Sequence, residues 1–277
     1  MTPAAPLIRP LVAGLVLFAW SGALAGPITP EALEQLPPAD IVILGEVHDN
    51  PEHHHNQARA VAALAPRALV WEMLTPEQAR RMPAERGDAA RVAEVLDWDA
   101  VDWPDFALYH PILLAAPGAR SYGAGVPRAV ARRVFDESAG VVFADLFGAD
   151  ARHLGLGRPL APDDQARRQA EQAAAHCHAL PEALLPGMVT AQRLRDAALA
   201  HVALLALTET GGPVAVIAGS GHARNDIGAP AFLRRASPAP SVLSLGQLEA
   251  SPEAPAPFDI WIITAPVPRP DPCDGLR

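Results

Sequence analysis

The sequence predicts an α/β fold: a mostly parallel open sheet with helices on both faces and a largely helical insertion in the middle. Three observations predict it. Short apolar runs alternate with longer helical stretches, the pattern of a parallel sheet. Two of these runs end alike: Ile41-Val42-Ile43-Leu44 leads into Gly45-Glu46-Val47-His48, and Val214-Ala215-Val216-Ile217-Ala218 leads into Gly219-Ser220-Gly221-His222. A third run, Ala68-Leu69-Val70-Trp71, ends in an acid, Glu72. Ligands of open α/β sheets bind beyond the carboxyl ends of the strands. Two glycine-x-x-histidine ends with an aligned carboxylate therefore predict one shared site. The alternative is that His48 and His222 only cap strand ends by bonding loop backbone.

Residues 1–25 read as a secretory signal peptide. Arg9 supplies the positive start, and Leu11 to Trp20 is an apolar stretch too short for a bilayer, which needs about 20 residues. Ala23-Leu24-Ala25 is an A-x-A site, so cleavage is expected after Ala25. No cysteine lies near it to carry a lipid anchor. Residues 26–277 are then expected to form a single α/β domain in the periplasm. No second long apolar run follows, so no transmembrane segment is expected in the mature chain.

Residues 26–39 are Pro-rich and read as loop, followed by a strand at 40–44. Asn50 is a helix N-cap with Pro51 at the first helical position, and this helix runs to about Leu64. The second strand is 68–71. The insertion, about 76–210, is mainly helical over 76–116, with Gly87-Asp88 a break and Pro104 starting a new helix. Ser121 to Gly125 is a short strand, 128–136 a helix, and 139–148 ambiguous. After a loop at 155–162 come two long helices, 163–179 and 187–209. Strands return at 213–218, 241–245 and 258–264, with 250–257 a surface loop.

The net charge is −9, and all basic residues are arginine. An acidic exported chain is a poor partner for nucleic acid or anionic membrane. The lack of lysine excludes Schiff-base chemistry. Cys177 and Cys273 predict a disulfide in an oxidising compartment; a redox pair is the alternative, without C-x-x-C spacing to support it.

Four of the ten histidines fall within eight residues, His48, His53, His54 and His55, which makes the first loop the densest donor cluster. On a helix starting at Asn50, His54 shares the inward face with Ala58 and Val61. His53 pairs with Gln57, and His55 faces solvent. Glu46, His48, Glu72 and His222 could hold a divalent metal or activate water as a general base. Asp226 is placed to orient His222, and Arg224 to bind a carboxylate or remain a surface charge. Arg128, just past the third strand end, could clamp a carboxylate; the alternative is an ion pair with Glu46 or Glu72. Tyr109 offers a hard oxygen to ferric iron, or packs on the sheet with its hydroxyl bonded. Tyr122 reads as an ordinary strand residue. No nucleophile elbow, Walker loop, C-x-x-C-H or H-E-x-x-H motif occurs, which removes those enzyme classes.

Several stretches together resemble the ChaN-like haem-binding uptake family of the Tiki superfamily. They are Leu44-Gly45-Glu46-Val47-His48-Asp49-Asn50-Pro51, His53-His54-His55-Asn56-Gln57, Val70-Trp71-Glu72-Met73, Trp103-Pro104-Asp105-Phe106, Tyr122-Gly123-Ala124-Gly125-Val126-Pro127-Arg128, Leu185-Pro186-Gly187-Met188-Val189 with Ala191 to Ala197, Gly219-Ser220-Gly221-His222-Ala223-Arg224, and Asp271-Pro272-Cys273. The resemblance implies an α/β fold and a role in haem or iron uptake. On that reading Tyr109 or His54 is the axial ligand, while Arg128, His222 and Arg224 hold the haem. The haem is shared across a homodimer, and an outer-membrane haem receptor is a partner. Without lysine, contacts to propionates fall to arginine or histidine. The same superfamily contains metalloproteases and erythromycin esterases, so a hydrolase built on Glu46, His48, Glu72 and His222 is the alternative. A noncatalytic partner-binding protein is the third reading.

Overall fold

A computed structural model describes residues 26–271, 273 and 274; the expected signal peptide, residues 1–25, lies outside them. Seven strands form one parallel sheet: β1 Gly26–Pro27, β2 Ile41–Glu46, β3 Ala68–Trp71, β4 Arg120–Gly123, β5 Val214–Gly219, β6 Val242–Leu248 and β7 Ile260–Ile263. Their order is β1-β7-β6-β2-β5-β3-β4. The expected parallel sheet is therefore present, and β2 and β5 are central neighbours in register from Ile41 against Val214 to Glu46 against Gly219. Every residue of both strands is buried, which is why they read as unbroken apolar runs.

The side-chain alternation of the strands divides the core. Val42, Leu44, Leu69, Ala215 and Ile217 face one layer, whereas Ile41, Ile43, Val70, Val214 and Val216 face the other. Burying each of these larger aliphatic side chains contributes roughly 1.5–3 kcal/mol. The helices are α1 Pro51–Leu64, α2 Pro76–Arg80, α3 Ala89–Val95, α4 Phe106–Ala115, α5 Arg128–Ala131, α6 Ala139–Phe147, α7 Pro162–Ala175, α8 Leu185–Thr210, α9 Ser220–Ala223 and α10 Ala229–Ala236. Side chains of α1, α3 and α4 pack in the first layer, and those of α6, α8 and α10 in the second. Among the described residues no helix is long and apolar enough to cross a membrane.

The local signals explain most boundaries. Asn50 accepts a hydrogen bond from the Glu52 backbone N–H at 3.0 Å, with Pro51 opening α1. The stretch at 139–148 resolves as helix α6, because Ser138 caps its start and Gly148, in the left-handed region, stops it. One expectation is corrected. The Pro-rich 26–39 segment is not wholly loop: it contributes β1 and a 3-10 turn at Pro30–Gln35, and Pro27 is tolerated because β1 is an edge strand. The 76–116 region divides at the expected places into three short helices, with Asp88 capping α3 just after the Gly87-Asp88 break and Asp105, next to Pro104, capping α4.

Cys177, just after α7, is bonded to Cys273 with their Cα atoms 5.5 Å apart, which realises the expected disulfide. The tail is also held by Arg269, which pairs with Asp49 and Glu249, and by Asn50, which donates to the Ala265 carbonyl oxygen at 3.1 Å.

Candidate functional site

The site begins where β2 meets its neighbours. Gly45 is required there: an added Cβ would sit 2.8 Å from Ser220 Oγ and 2.9 Å from the Leu245 carbonyl oxygen. The next residue, Glu46, is 2% exposed. Its Oε1 accepts from the Tyr109 hydroxyl at 3.1 Å and from His48 Nδ1 at 2.7 Å. His54, on the buried face of α1 as expected, donates from Nε2 to the His48 carbonyl oxygen at 2.8 Å. That leaves its Nδ1 facing Glu46 Oε2 at 3.5 Å, and neither atom has a hydrogen-bond partner.

The Glu46 bond orients His48. With Nδ1–H committed to the carboxylate, Nε2 carries the lone pair. That nitrogen has no hydrogen bond to the described residues, and the side chain is 33% exposed. Trp103 stands edge-on to the ring, with centroids 4.9 Å apart. Burial lowers the pKa of His48, but the Glu46 bond and the charges of Glu72 and Glu46 outweigh it and leave the value raised.

The second half comes from β3, β5 and α8. Glu72 Oε2 accepts the Gly219 backbone N–H at 2.7 Å, and Oε1 lies 3.3 Å from His222 Nε2. His222 donates its other ring N–H to Asp196 Oδ1 at 2.6 Å. Burial disfavours a charged imidazole, yet the two carboxylates outweigh it and push the His222 pKa up to about 10. Burial would likewise raise Glu72, but the His222 cation holds it down at about 2. For Asp196 burial is the largest effect, and its pKa is raised. His222 thus lies between two carboxylates, hydrogen-bonded to Asp196 and 3.3 Å from Glu72, an arrangement that favours its charged form.

The two halves converge. A methyl group placed on Gly219 would lie 3.0 Å from His48 Nε2 and 3.7 Å from Glu72 Oε2, so both side chains crowd one point over β5. Sequence reasoning expected Glu46, His48, Glu72 and His222 in one site, and the fold brings all four together.

Other expected residues lie elsewhere. Tyr109 is fully buried beneath the floor with its hydroxyl given to Glu46, and burial together with the Glu46 charge pushes its pKa up, away from the phenolate. His54 is equally enclosed at 1% exposure. His53 accepts the Val47 N–H at Nδ1 and bonds Thr264 through Nε2; burial lowers its pKa to about 4, so it is a neutral structural histidine. Arg224 forms a two-pronged pair with Asp226 and reaches Glu171 at 3.4 Å. Asp226 is therefore not the partner of His222, as the sequence suggested; the missed residue is Asp196. Its signal was an acid sharing a helix face with the buried Leu199, Ala200 and Ala203, which marks it as enclosed without naming its partner. Arg128 is exposed and makes no ion pair with Glu46, Glu72 or any other described carboxylate. It lines a cavity of about 410 Å³ with Glu72, Trp103 and Arg195.

As arranged, these groups form a hydrogen-bond network and not a ligand set. His222 Nδ1 is engaged by Asp196, Glu46 Oε1 takes two donors, and no group of three or more His, Cys, Asp or Glu side chains among the described residues is arranged to hold a metal ion.

Comparison with known proteins places this geometry. The family model described as haem-binding uptake, Tiki superfamily, ChaN matches residues 32–233. A solved structure described as "Cofacial heme binding to ChaN of Campylobacter jejuni" superposes with a TM-score of 0.58 at 18% identity, covering 82% of this chain and 87% of that one. Comparison with curated proteins gives no match. Since the family model spans well over half of the chain, including Glu46, His48, Glu72, Asp196 and His222, this protein belongs to the ChaN haem-binding uptake family of the Tiki superfamily.

Proposed function

We propose that this chain is a periplasmic haem-binding protein that serves iron uptake, with the haem seated over the strand ends. The observation that carries this reading is His48: a histidine oriented by a buried carboxylate, with an open Nε2, beside Trp103 at the crevice of a haem-binding family member. His48 is the group that would meet the iron, and Glu46 and Tyr109 would hold it in place. Tyr109 and His54, the ligands expected from sequence, could serve only if the floor opened. The family membership supports haem, and the disulfide suits an oxidising compartment. Haem shared between two copies, and delivered through an outer-membrane receptor, completes the reading.

Ferric haem titrated into the mature, disulfide-intact protein tests it. The expected result is a saturable, shifted Soret band that His48→Ala removes or displaces and Tyr109→Phe leaves at the same wavelength. A featureless, linear titration overturns the reading. Sedimentation with and without haem tests the shared dimer. The Glu46–His48 pair also favours a second reading, since a carboxylate-oriented histidine with a free nitrogen is the geometry of a general base on water. Hydrolysis of a peptide or ester that depends on His48, in protein that ignores haem, would establish it.

A further inference from the structure

The cavity beside the histidines is set apart by its charges. Val101, Trp103, Val126 and Leu199 give it an apolar wall, Glu72 and Asp102 also line it, and two guanidinium groups, Arg128 and Arg195, share it. Arg195 is half-buried on α8, and its hydrogen bond goes to a neutral group, Gln192 Oε1 at 3.1 Å. Arg128 pairs with no described carboxylate. Arg195 feels the charges of Glu72 and Asp196 first and, against them, that of Arg128 across the cavity. The acids nearby are already answered: Glu72 by His222 and the Gly219 N–H, and Asp196 by His222 with Arg168 close by. Asp102 stands exposed at the rim. Neither guanidinium forms an ion pair with a described carboxylate, since Arg195 bonds only the Gln192 amide and Arg128 none, and a planar guanidinium pairs best with a carboxylate.

We infer that this cavity binds the carboxylate of an amphipathic small molecule, Arg128 and Arg195 holding the anion and Trp103, Val126 and Leu199 covering the apolar body. The volume, about 410 Å³, is that of a small-molecule site. The inference stands on the cavity and does not require the haem reading. Two sources supply this chemistry: a propionate arm of haem, or a separate small carboxylic acid.

The test uses calorimetric titration of the haem-free mature protein with 4-phenylbutyrate and its neutral analogue 4-phenylbutanol. The acid is expected to bind about tenfold more tightly than the alcohol, as a charge-assisted pair requires, with Arg128→Met and Arg195→Met each removing most of that preference. Circular dichroism melts check folding, and Arg128→Met, at an exposed position, carries the test if Arg195→Met is unstable. Equal binding of acid and alcohol, no binding of either, or a preference that survives Arg128→Met, overturns the inference. Ferric haem and its dimethyl ester then separate the sources. If the variants weaken haem and spare the diester, the cavity takes propionate; if wild-type protein binds haem and diester alike, it takes a separate acid. Failure of haem to bind in any form removes the haem reading alone and leaves the phenylbutyrate result standing.

Discussion

At the scale of single residues, the site depends on which acid answers each histidine. Asp196 is the clearest case. It is 5% exposed and accepts the short bond from His222. Removing one partner of a buried charged pair leaves the other uncompensated, at a cost of about 3–5 kcal/mol. Asp196→Ala is therefore expected to lower the unfolding free energy by an amount in that range, read as a fall in the urea midpoint. Asp196→Asn keeps a hydrogen-bond acceptor but loses the charge, so the His222 titration, followed by nuclear magnetic resonance of its ring nitrogens, should move down from about 10. An unchanged His222 titration in the Asn variant would show that Glu72 alone sets it. The same residues mark the limit of sequence reading. Glu46, His48, Glu72 and His222 were legible because each ends a strand, and parallel strands share one carboxyl edge. The partner of His222 was not. Asp226, close in sequence, instead pairs with Arg224 two positions away, while Asp196 arrives on α8 through tertiary packing that no local pattern encodes. Arg128 was correctly placed at a strand end, but its freedom from Glu46 and Glu72 was visible only in three dimensions.

At the scale of elements, legibility followed the strength of local chemistry. The Asn50-Pro51 start of α1 and the buried runs of β2 and β5 were plain, whereas 139–148 was apolar enough for strand or helix and was decided by its Ser138 and Gly148 ends. The two long helices of the insertion were also foreseen, yet the link between them and the tail is covalent. Cys177 lies past the end of α7, and Cys273 follows the tail segment that Arg269 pins to Asp49 and Glu249. The bridge closes a loop of 96 residues in sequence separation, for which the loop-entropy relation gives about 4–5 kcal/mol of stabilisation. Reduction by dithiothreitol, or paired Cys177→Ser and Cys273→Ser, is expected to lower the unfolding free energy by an amount of that order, read as a shift in urea midpoint. Because the tail bonds the loop that carries His48 and Asn50, the reduced protein should also bind haem less tightly than the oxidised one. Identical midpoints with and without reductant would mean that the noncovalent contacts of Arg269 and Asn50 already hold the tail.

At the scale of the whole molecule, the buried titratable groups set how stability varies with pH. His222 is raised in the fold to about 10, above its ordinary 6.5, so its contribution is complete below pH 6.5 and is lost as pH climbs toward 10. His53 is shifted the other way, to about 4, so the stability of its neutral buried form is complete above pH 6.5 and is lost as pH falls toward 4. Glu72, held at about 2, adds a loss below pH 4.5, which the raised value of Asp196 partly offsets. Stability should therefore peak near pH 6.5 and fall on both sides. The alkaline fall should reach a few kcal/mol, since a tenfold change in proton affinity on folding corresponds to about 1.4 kcal/mol. The alkaline limb belongs chiefly to His222, and His48, whose value is also raised, adds to it. Urea unfolding of the wild type and of His222→Gln between pH 6.5 and 10 separates it: the wild type should weaken across that range, and the variant, weaker at the start, should lose less. Parallel curves for the two proteins would show that the Glu72–His222–Asp196 array is not held in its charged form.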